Sequence, residues 1–355
     1  MKAAVFLGRE QIQVQEVPVP ECRAHELLLR VELAGICGTD VKTYFQGARG
    51  KLRPPHIIGH EIAGTVAQVG SNVAGYSVGD RVGLATEVGC GHCNWCTRGL
   101  YKFCEEGGPI GWLYPGGFAE YMLVPELAMR QGNALRMPSD IPFEETVFLE
   151  PLACCISAQR FLNIGWGDTV VVMGTGGVGC LHALLAGLEP VGKLILINAS
   201  SERRLELARQ AGVQADLTIT AAMEDPVQRV LAETHGQGAD VVIVAAPSPV
   251  AQEQALQMAA RRGRVSLFAG LPADSRSVEC DTNAIHYKEV SVFGAFSSSL
   301  ADFLSARSLI ANRKLALAPL ITHRFSLSEV VKALEVARAG EVLKVVIHPQ
   351  ASGGG

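Results

Sequence analysis

The sequence predicts a two-part protein of mixed α/β and β class: a β-rich, barrel-type domain joined to a doubly wound parallel-sheet domain. Two observations predict it. Up to Glu150 the chain runs as short apolar stretches broken by Gly, Pro and Asp, with few long helical periods. Beyond Glu150, strand-like and helix-like segments alternate, which is the pattern of a parallel sheet with helices on both faces. At 355 residues the chain is long enough for two domains, each with its own core.

The elements follow in order. MKAAVFLGREQIQVQEVPVP reads as short strands rather than as a charged-then-apolar leader. Further strands are expected in ELLLRVELAG, EIAGTVAQVG, GDRVGLA and GGFAEYMLVP. DTVVVMGTGGVG is a strand running into a Gly-rich turn, and CLHALLAGL continues it as a helix. KLILIN is a second strand, and SERRLELARQAG a second helix that stops at Gly212. DVVIVAA as strand, AQEQALQMAARRG as helix and RVSLFAG as strand continue the alternation. After about residue 293, SLADFLSARSLIANRK and SEVVKALEVARAG are helical, and LKVVIH is a last strand returning to the first domain. The expected division is 1–150 with 293–355 for the first domain and 151–292 for the second. The terminal ASGGG is left out as a tail.

Composition narrows the function. Hydrophobic residues make up 48% of the chain and charged residues 19%, which suits a well-buried fold. A net charge of −4 gives no reason to expect nucleic acid or an anionic membrane as partner. No apolar run approaches the roughly 20 residues that cross a bilayer. A cytoplasmic location is the expectation, and there clustered cysteines suggest metal before disulfides.

Three constellations carry chemistry. CGHCNWCTRGLYKFC places Cys90, Cys93, Cys96 and Cys104 on one Gly-containing loop, a spacing that suits a closed tetrahedral zinc site with no position for substrate. Cys37 in GICGTDVK, His60 and Glu61 in PHIIGHEIAG, and Glu150 in FLEPLACC form a second set. One thiolate, one imidazole and one carboxylate would leave a coordination position free, as a catalytic zinc requires. Taken singly, Cys37 also suits a small core residue, His60 a turn and Glu150 a helix N-terminus. The third constellation is Gly174, Thr175, Gly176, Gly177, Val178 and Gly179, a G-x-G-x-x-G that follows an expected strand and opens an expected helix. It suits the pyrophosphate of a dinucleotide.

The combination resembles the zinc-dependent medium-chain dehydrogenases, the family of alcohol, sorbitol and threonine dehydrogenases. GHEIAGTVAQVG, the four-cysteine lobe and GTGGVG occur in that family's order and spacing over nearly the whole chain. The resemblance implies a GroES-like catalytic domain and a Rossmann dinucleotide-binding domain, and the EPL after Glu150 looks like the sorbitol-type branch. It implies Cys37, His60 and Glu150 as ligands of a catalytic zinc, with Glu61 as an acid able to approach it. Cys90, Cys93, Cys96 and Cys104 would hold a structural zinc, and Cys154 and Cys155 are read as packing residues. The implied reaction is reversible oxidation of an alcohol by NAD or NADP, with Thr39 taking up the hydroxyl proton. Lys42 stands where many relatives have a relay histidine, and its ordinary pKa makes it a poor relay near neutrality.

The cofactor position also departs from the NAD pattern. The end of the second strand holds Asn198 where an acid is expected, followed by Ala199, Ser200, Ser201, Glu202, Arg203 and Arg204; with the acid absent at the strand end nothing there repels a 2′-phosphate, which Ser200, Ser201 and an arginine could bind, and the reading leans to NADP. A polyol or secondary alcohol is the leading substrate class. An amino alcohol or sugar phosphate is the alternative, with Lys42 and Arg49 as candidate cations. A non-catalytic NADP-binding protein is the reading from a different class. Tyr44, Phe45, Trp112, Phe118 and Phe296 are pocket candidates, and a homo-oligomer, dimer or tetramer, is expected by analogy.

Overall fold

A computed structural model describes residues 1–200, 202–272 and 274–351. Ser201, Ala273 and the tail residues 352–355 lie outside the described residues. The chain divides into two compact units, one formed by Met1–Ala153 together with the chain from Ser298 onward, the other by Cys154–Ser297.

The first unit is built on a seven-stranded sheet. Its path runs Ala134–Met137, Arg81–Leu84, Glu61–Val69, Leu27–Gly35, Lys344–His348 and Ile321–Ser326, and Tyr121–Val124 also pairs with Leu27–Gly35. Leu27–Gly35 is therefore the hub, antiparallel to Glu61–Val69 on one side and to Lys344–His348 on the other. Leu27, Leu29 and Val31 enter the core with Ile62, Val66, Val82 and Leu84, all nearly fully buried. Burying each such side chain stabilises the unit by roughly 1.5–3 kcal/mol before entropy is counted. Lys2–Gly8 forms a smaller sheet with Gln11–Glu16 and His56–Ile57.

A helix, Gly38–Gln46, interrupts the strand-rich first part. The cause is local: Asp40 accepts from the Cys37 amide in a capping box, which satisfies a donor of the first turn. The four-cysteine loop hangs between Glu87–Val88 and Gly108–Pro109, two short strands that pair with each other.

The second unit is a six-stranded, wholly parallel sheet in the order Leu217–Thr220, Lys193–Asn198, Thr169–Met173, Ala239–Val244, Ala259–Leu267, Ser291–Gly294. This is the doubly wound order with its reversal beside Thr169–Met173. The runs VVVM, LILI and VVIV are continuous rather than alternating because both faces of these strands are covered.

One expected element is corrected. AQEQALQMAARRG does not stay helical to its end: the helix runs Pro249–Met258, capped by Ser248, and Ala259–Leu267 is strand. Ala-Ala-Arg-Arg favours helix locally, but Ala259 pairs with Ala239 and Arg264 with Val241, and the ladder outweighs the local preference. Among the described residues no helix is long and apolar enough to cross a membrane.

Candidate functional site

The first candidate centre lies where three chain segments of the first unit converge. Cys37 is the N-cap of helix Gly38–Gln46, His60 ends the turn after Ile58 and Gly59, and Glu61 begins strand Glu61–Val69. One ligand atom from each of Cys37, His60 and Glu61 lies within 4.8 Å of the others. His60 and Glu61 are buried, while Cys37 is half-buried. The turn before His60 requires glycine: Gly59 has φ +95°, and a Cβ there would lie 2.5 Å from the Phe118 ring.

Asp40 completes the arrangement. Its Oδ2 accepts from the Cys37 amide at 2.9 Å, and its Oδ1 lies 3.4 Å from His60 Nδ1. That leaves Nε2 of His60 as the nitrogen for a metal. Burial alone would lower the His60 pKa, but the Asp40 carboxylate and the Cys37 thiolate outweigh it and hold it well above its ordinary value. Trp112 covers the imidazole, its ring centroid 5.1 Å away.

Glu61 has a partner as well. Its carboxylate forms an ion pair with Lys344 from the last strand, and both side chains are buried. Glu150, the second residue of helix Leu149–Gln159, is buried but stands outside the group of three. Thr39 is exposed, with Oγ1 3.6 Å from Cys37 Sγ. Lys42 is half-buried on the same helix. The donor set of one thiolate, one imidazole and buried carboxylates fits zinc.

The second centre is the lobe. The sulfurs of Cys90, Cys93, Cys96 and Cys104 all lie within 4.8 Å of one another. Backbone amides point at them: Cys90 donates to Cys104 Sγ at 3.3 Å, Cys93 to Cys90 at 3.4 Å, Cys96 to Cys93 at 3.4 Å and Gly107 to Cys104 at 3.1 Å. Burial opposes ionisation of Cys104, yet the amides from Cys90 and Gly107 bring its pKa down to about 6, while burial pushes Cys96 up to about 12. Four inward sulfurs with amide donors to several of them fit a closed tetrahedral zinc.

The Gly-rich loop lies in the second unit. Gly174 follows strand Thr169–Met173 with φ +103°, and Gly176 caps helix Gly177–Ala186. A Cβ on Gly179 would sit 1.7 Å from the Gly174 carbonyl, so only glycine lets helix and strand approach this closely. Thr175 is buried and Val178 half-buried. The helix N-terminus and its free amides suit a pyrophosphate. Asn198 ends strand Lys193–Asn198 and is buried; Ser200 and Arg203 are exposed. Arg204 is half-buried, and its charge lowers the pKa of the Cys180 thiol on the helix after the loop, although burial dominates and pushes that thiol to about 12.

Phe118 belongs to the core rather than to a pocket wall, Tyr44 is also buried, and Phe45 stacks under the Arg338 guanidinium. Phe296 is 66% exposed in the second unit. A groove of about 930 Å³ beside strand Leu217–Thr220, lined by residues such as Leu196, Arg209 and Met223, contains none of the expected site residues. Sequence reasoning missed Asp40 and Lys344. Asp40 carried a signal, an acid three residues after Cys37 in capping-box register; Lys344 carried none.

Comparison with known proteins gives a consistent result. Residues 23–132 match the alcohol dehydrogenase GroES-like domain, and residues 177–312 match the zinc-binding dehydrogenase domain. The chain is 35% identical to L-threonine 3-dehydrogenase of Bacillus subtilis, over 94% of each chain. It is 33% identical to sorbitol dehydrogenase of Halalkalibacterium halodurans, over 98% of this chain and 99% of that one. Among solved structures, a protein provisionally assigned as a zinc-binding dehydrogenase from Sinorhizobium meliloti 1021, bound to NADP, superposes with a TM-score of 0.90. That protein is 30% identical, and the match covers 98% of this chain and 99% of that one.

Proposed function

Because the chain belongs to the zinc-dependent medium-chain dehydrogenase family, we propose that Cys37, His60 and Glu150, with Glu61 in reach, hold a catalytic zinc at which a polyol or secondary alcohol is oxidised by NADP. The observation that carries this reading is the convergence of Cys37, His60 and Glu61 within 4.8 Å, with Asp40 fixing the imidazole. Zinc, when bound, supplies a Lewis acid that eases loss of the hydroxyl proton.

The residues of the chain do the rest. Asp40 holds the Cys37 turn and the His60 ring in one geometry. Thr39, 3.6 Å from Cys37 Sγ and open to water, receives the hydroxyl proton and passes it to solvent. The Gly174–Gly179 turn seats the dinucleotide pyrophosphate, and Asn198, Ser200, Arg203 and Arg204 favour a 2′-phosphate because no acid stands among the first of them. The four-cysteine lobe binds a second, structural zinc.

An amino alcohol or a sugar phosphate is the second reading, favoured by the similarity to a threonine dehydrogenase. A homo-oligomer is supported by the edge strand Ser291–Gly294, beside which Tyr287 is 78% exposed and Phe296 66% exposed. Light scattering of the purified protein tests it. Ten cysteines, none in a disulfide, support a cytoplasmic location.

The deciding experiment is reduction of NAD and NADP with polyols, secondary alcohols, threonine and sugar phosphates, before and after a chelator. Chelator-sensitive turnover with one alcohol class supports the reading. Zinc-loaded protein that turns over none of them removes it.

A further inference from the structure

A four-sulfur zinc site has no open coordination position, so an ion enters or leaves most easily where another donor takes over from a sulfur. Cys90 and Cys93 are half-buried while Cys96 and Cys104 are buried, so the lobe's sulfurs meet water on the Cys90–Cys93 side. A second donor set stands there. One ligand atom from each of Cys90, His92 and Glu106 lies within 4.8 Å of the others. Cys90 therefore belongs to two sets, the closed one and an exposed one.

The exposed set is fixed at its roots. His92 Nδ1 lies 3.2 Å from the Cys90 carbonyl oxygen. A proton donated there leaves Nε2 as the nitrogen for a metal, and Nε2 lies 3.5 Å from Glu106 Oε1. The backbone on either side of Glu106 is pinned as well. The Glu105 and Gly107 carbonyls both accept from Lys51 Nζ, and the Gly107 amide donates to Cys104 Sγ at 3.1 Å. The His92 and Glu106 side chains are 71% and 65% exposed, and an ion pair that open to water contributes little to stability. A thiolate, an imidazole and a carboxylate are all zinc donors, and three of them leave a position for water.

We infer that Cys90, His92 and Glu106 form a second, transient cation site at the mouth of the lobe, through which thiophilic divalent ions such as zinc and cadmium reach and leave the four sulfurs. This rests on the lobe-zinc reading given above. The incoming ion binds His92, Glu106 and the outer side of Cys90 Sγ. The shared sulfur bridges it to the resident ion, and the remaining sulfurs pass over one at a time as water takes their place on the ion that leaves.

The test is replacement of zinc by added cadmium in the full-length, zinc-loaded protein carrying Cys37→Ala, which leaves the lobe as the thiolate-rich site. Cadmium bound to sulfur absorbs in the ultraviolet, so the exchange is followed directly. In this parent the rate is expected to rise with cadmium and level off as the mouth site fills. With His92→Ala and Glu106→Gln together, the rate at low cadmium is expected to fall about tenfold or more, the scale of one lost contact to a charged group, while the final absorbance stays the same. Glu105→Gln removes the same charge one residue away, outside the donor set, and is expected to leave the rate unchanged. An undiminished rate in the double variant overturns the proposal. So does equal slowing by Glu105→Gln, which would reduce the effect to charge attraction, and so does a lower final absorbance, which would make the pair part of the lobe's own scaffold. His92→Ala alone serves if the double variant does not fold. If the Cys37→Ala protein holds no zinc that Cys93→Ala then removes, the lobe reading itself has failed, and the proposal falls with its premise.

Discussion

Asp40 lies 3.4 Å from His60 Nδ1 with one carboxylate oxygen while the other accepts the Cys37 amide at 2.9 Å. One buried acid therefore orients two candidate ligands that are far apart in the chain. Asp40→Asn keeps the shape and removes the charge. Zinc affinity at the Cys37 centre should fall about 10–100-fold, read by competition with a chelator, while the lobe keeps its zinc. Unchanged affinity would show that the carboxylate serves the helix cap alone.

The lobe makes a different prediction. Cys93→Ala should lower zinc content from two ions per chain to one. Loss of the lobe's ion should destabilise the first unit by about 3 kcal/mol, roughly 6–12 °C in thermal midpoint. A midpoint that stays put while the zinc is lost would assign the lobe to assembly or another role.

The proposed preference for NADP makes a prediction that one side chain tests. Asn198→Asp places a negative charge at the end of strand Lys193–Asn198. It should raise KM for NADP by about 10–100-fold, the cost of lost charge-assisted hydrogen bonds, and lower KM for NAD. Steady-state kinetics with both cofactors decide it; an unshifted ratio would place 2′ recognition elsewhere.

His182 gives the fold a pH dependence. It is fully buried on helix Gly177–Ala186, Gln159 Nε2 lies 3.1 Å from its Nδ1, and Phe268 meets the ring edge-on. Burial lowers its pKa from an ordinary 6.5 to about 3. The folded value lies below the unfolded one, so its contribution is intact above pH 6.5 and is lost as pH falls from there toward 3. Stability should drop by about 1.4 kcal/mol per pH unit across that window. His182→Gln should remove that part of the slope in urea titrations at a series of pH values. A slope identical to the parent's would rule out His182 as its source.

The readable and unreadable parts of this protein divide by range. The four cysteines and the Gly174–Gly179 turn were legible because each site is written within one short stretch, where spacing alone brings the atoms together. The alternation after Glu150 was legible because buried parallel strands must be apolar throughout. The boundary at Met258 was not, since a ladder to Ala239–Val244 decided it against local helix preference.

Sequence by itself pointed to the family, the two-part fold, the cysteine cluster, the Gly-rich turn and the four candidate metal donors Cys37, His60, Glu61 and Glu150, of which the structure brings the first three together. Tertiary structure alone decided what stands behind those donors. Asp40 matters because a capping box turns it toward His60, and Lys344 because three strands align it with Glu61 across Gly35. The Lys344–Ile36 bond spans 308 positions of chain. No local pattern encodes such a meeting, because it follows from sheet register, which is set only when the whole unit packs.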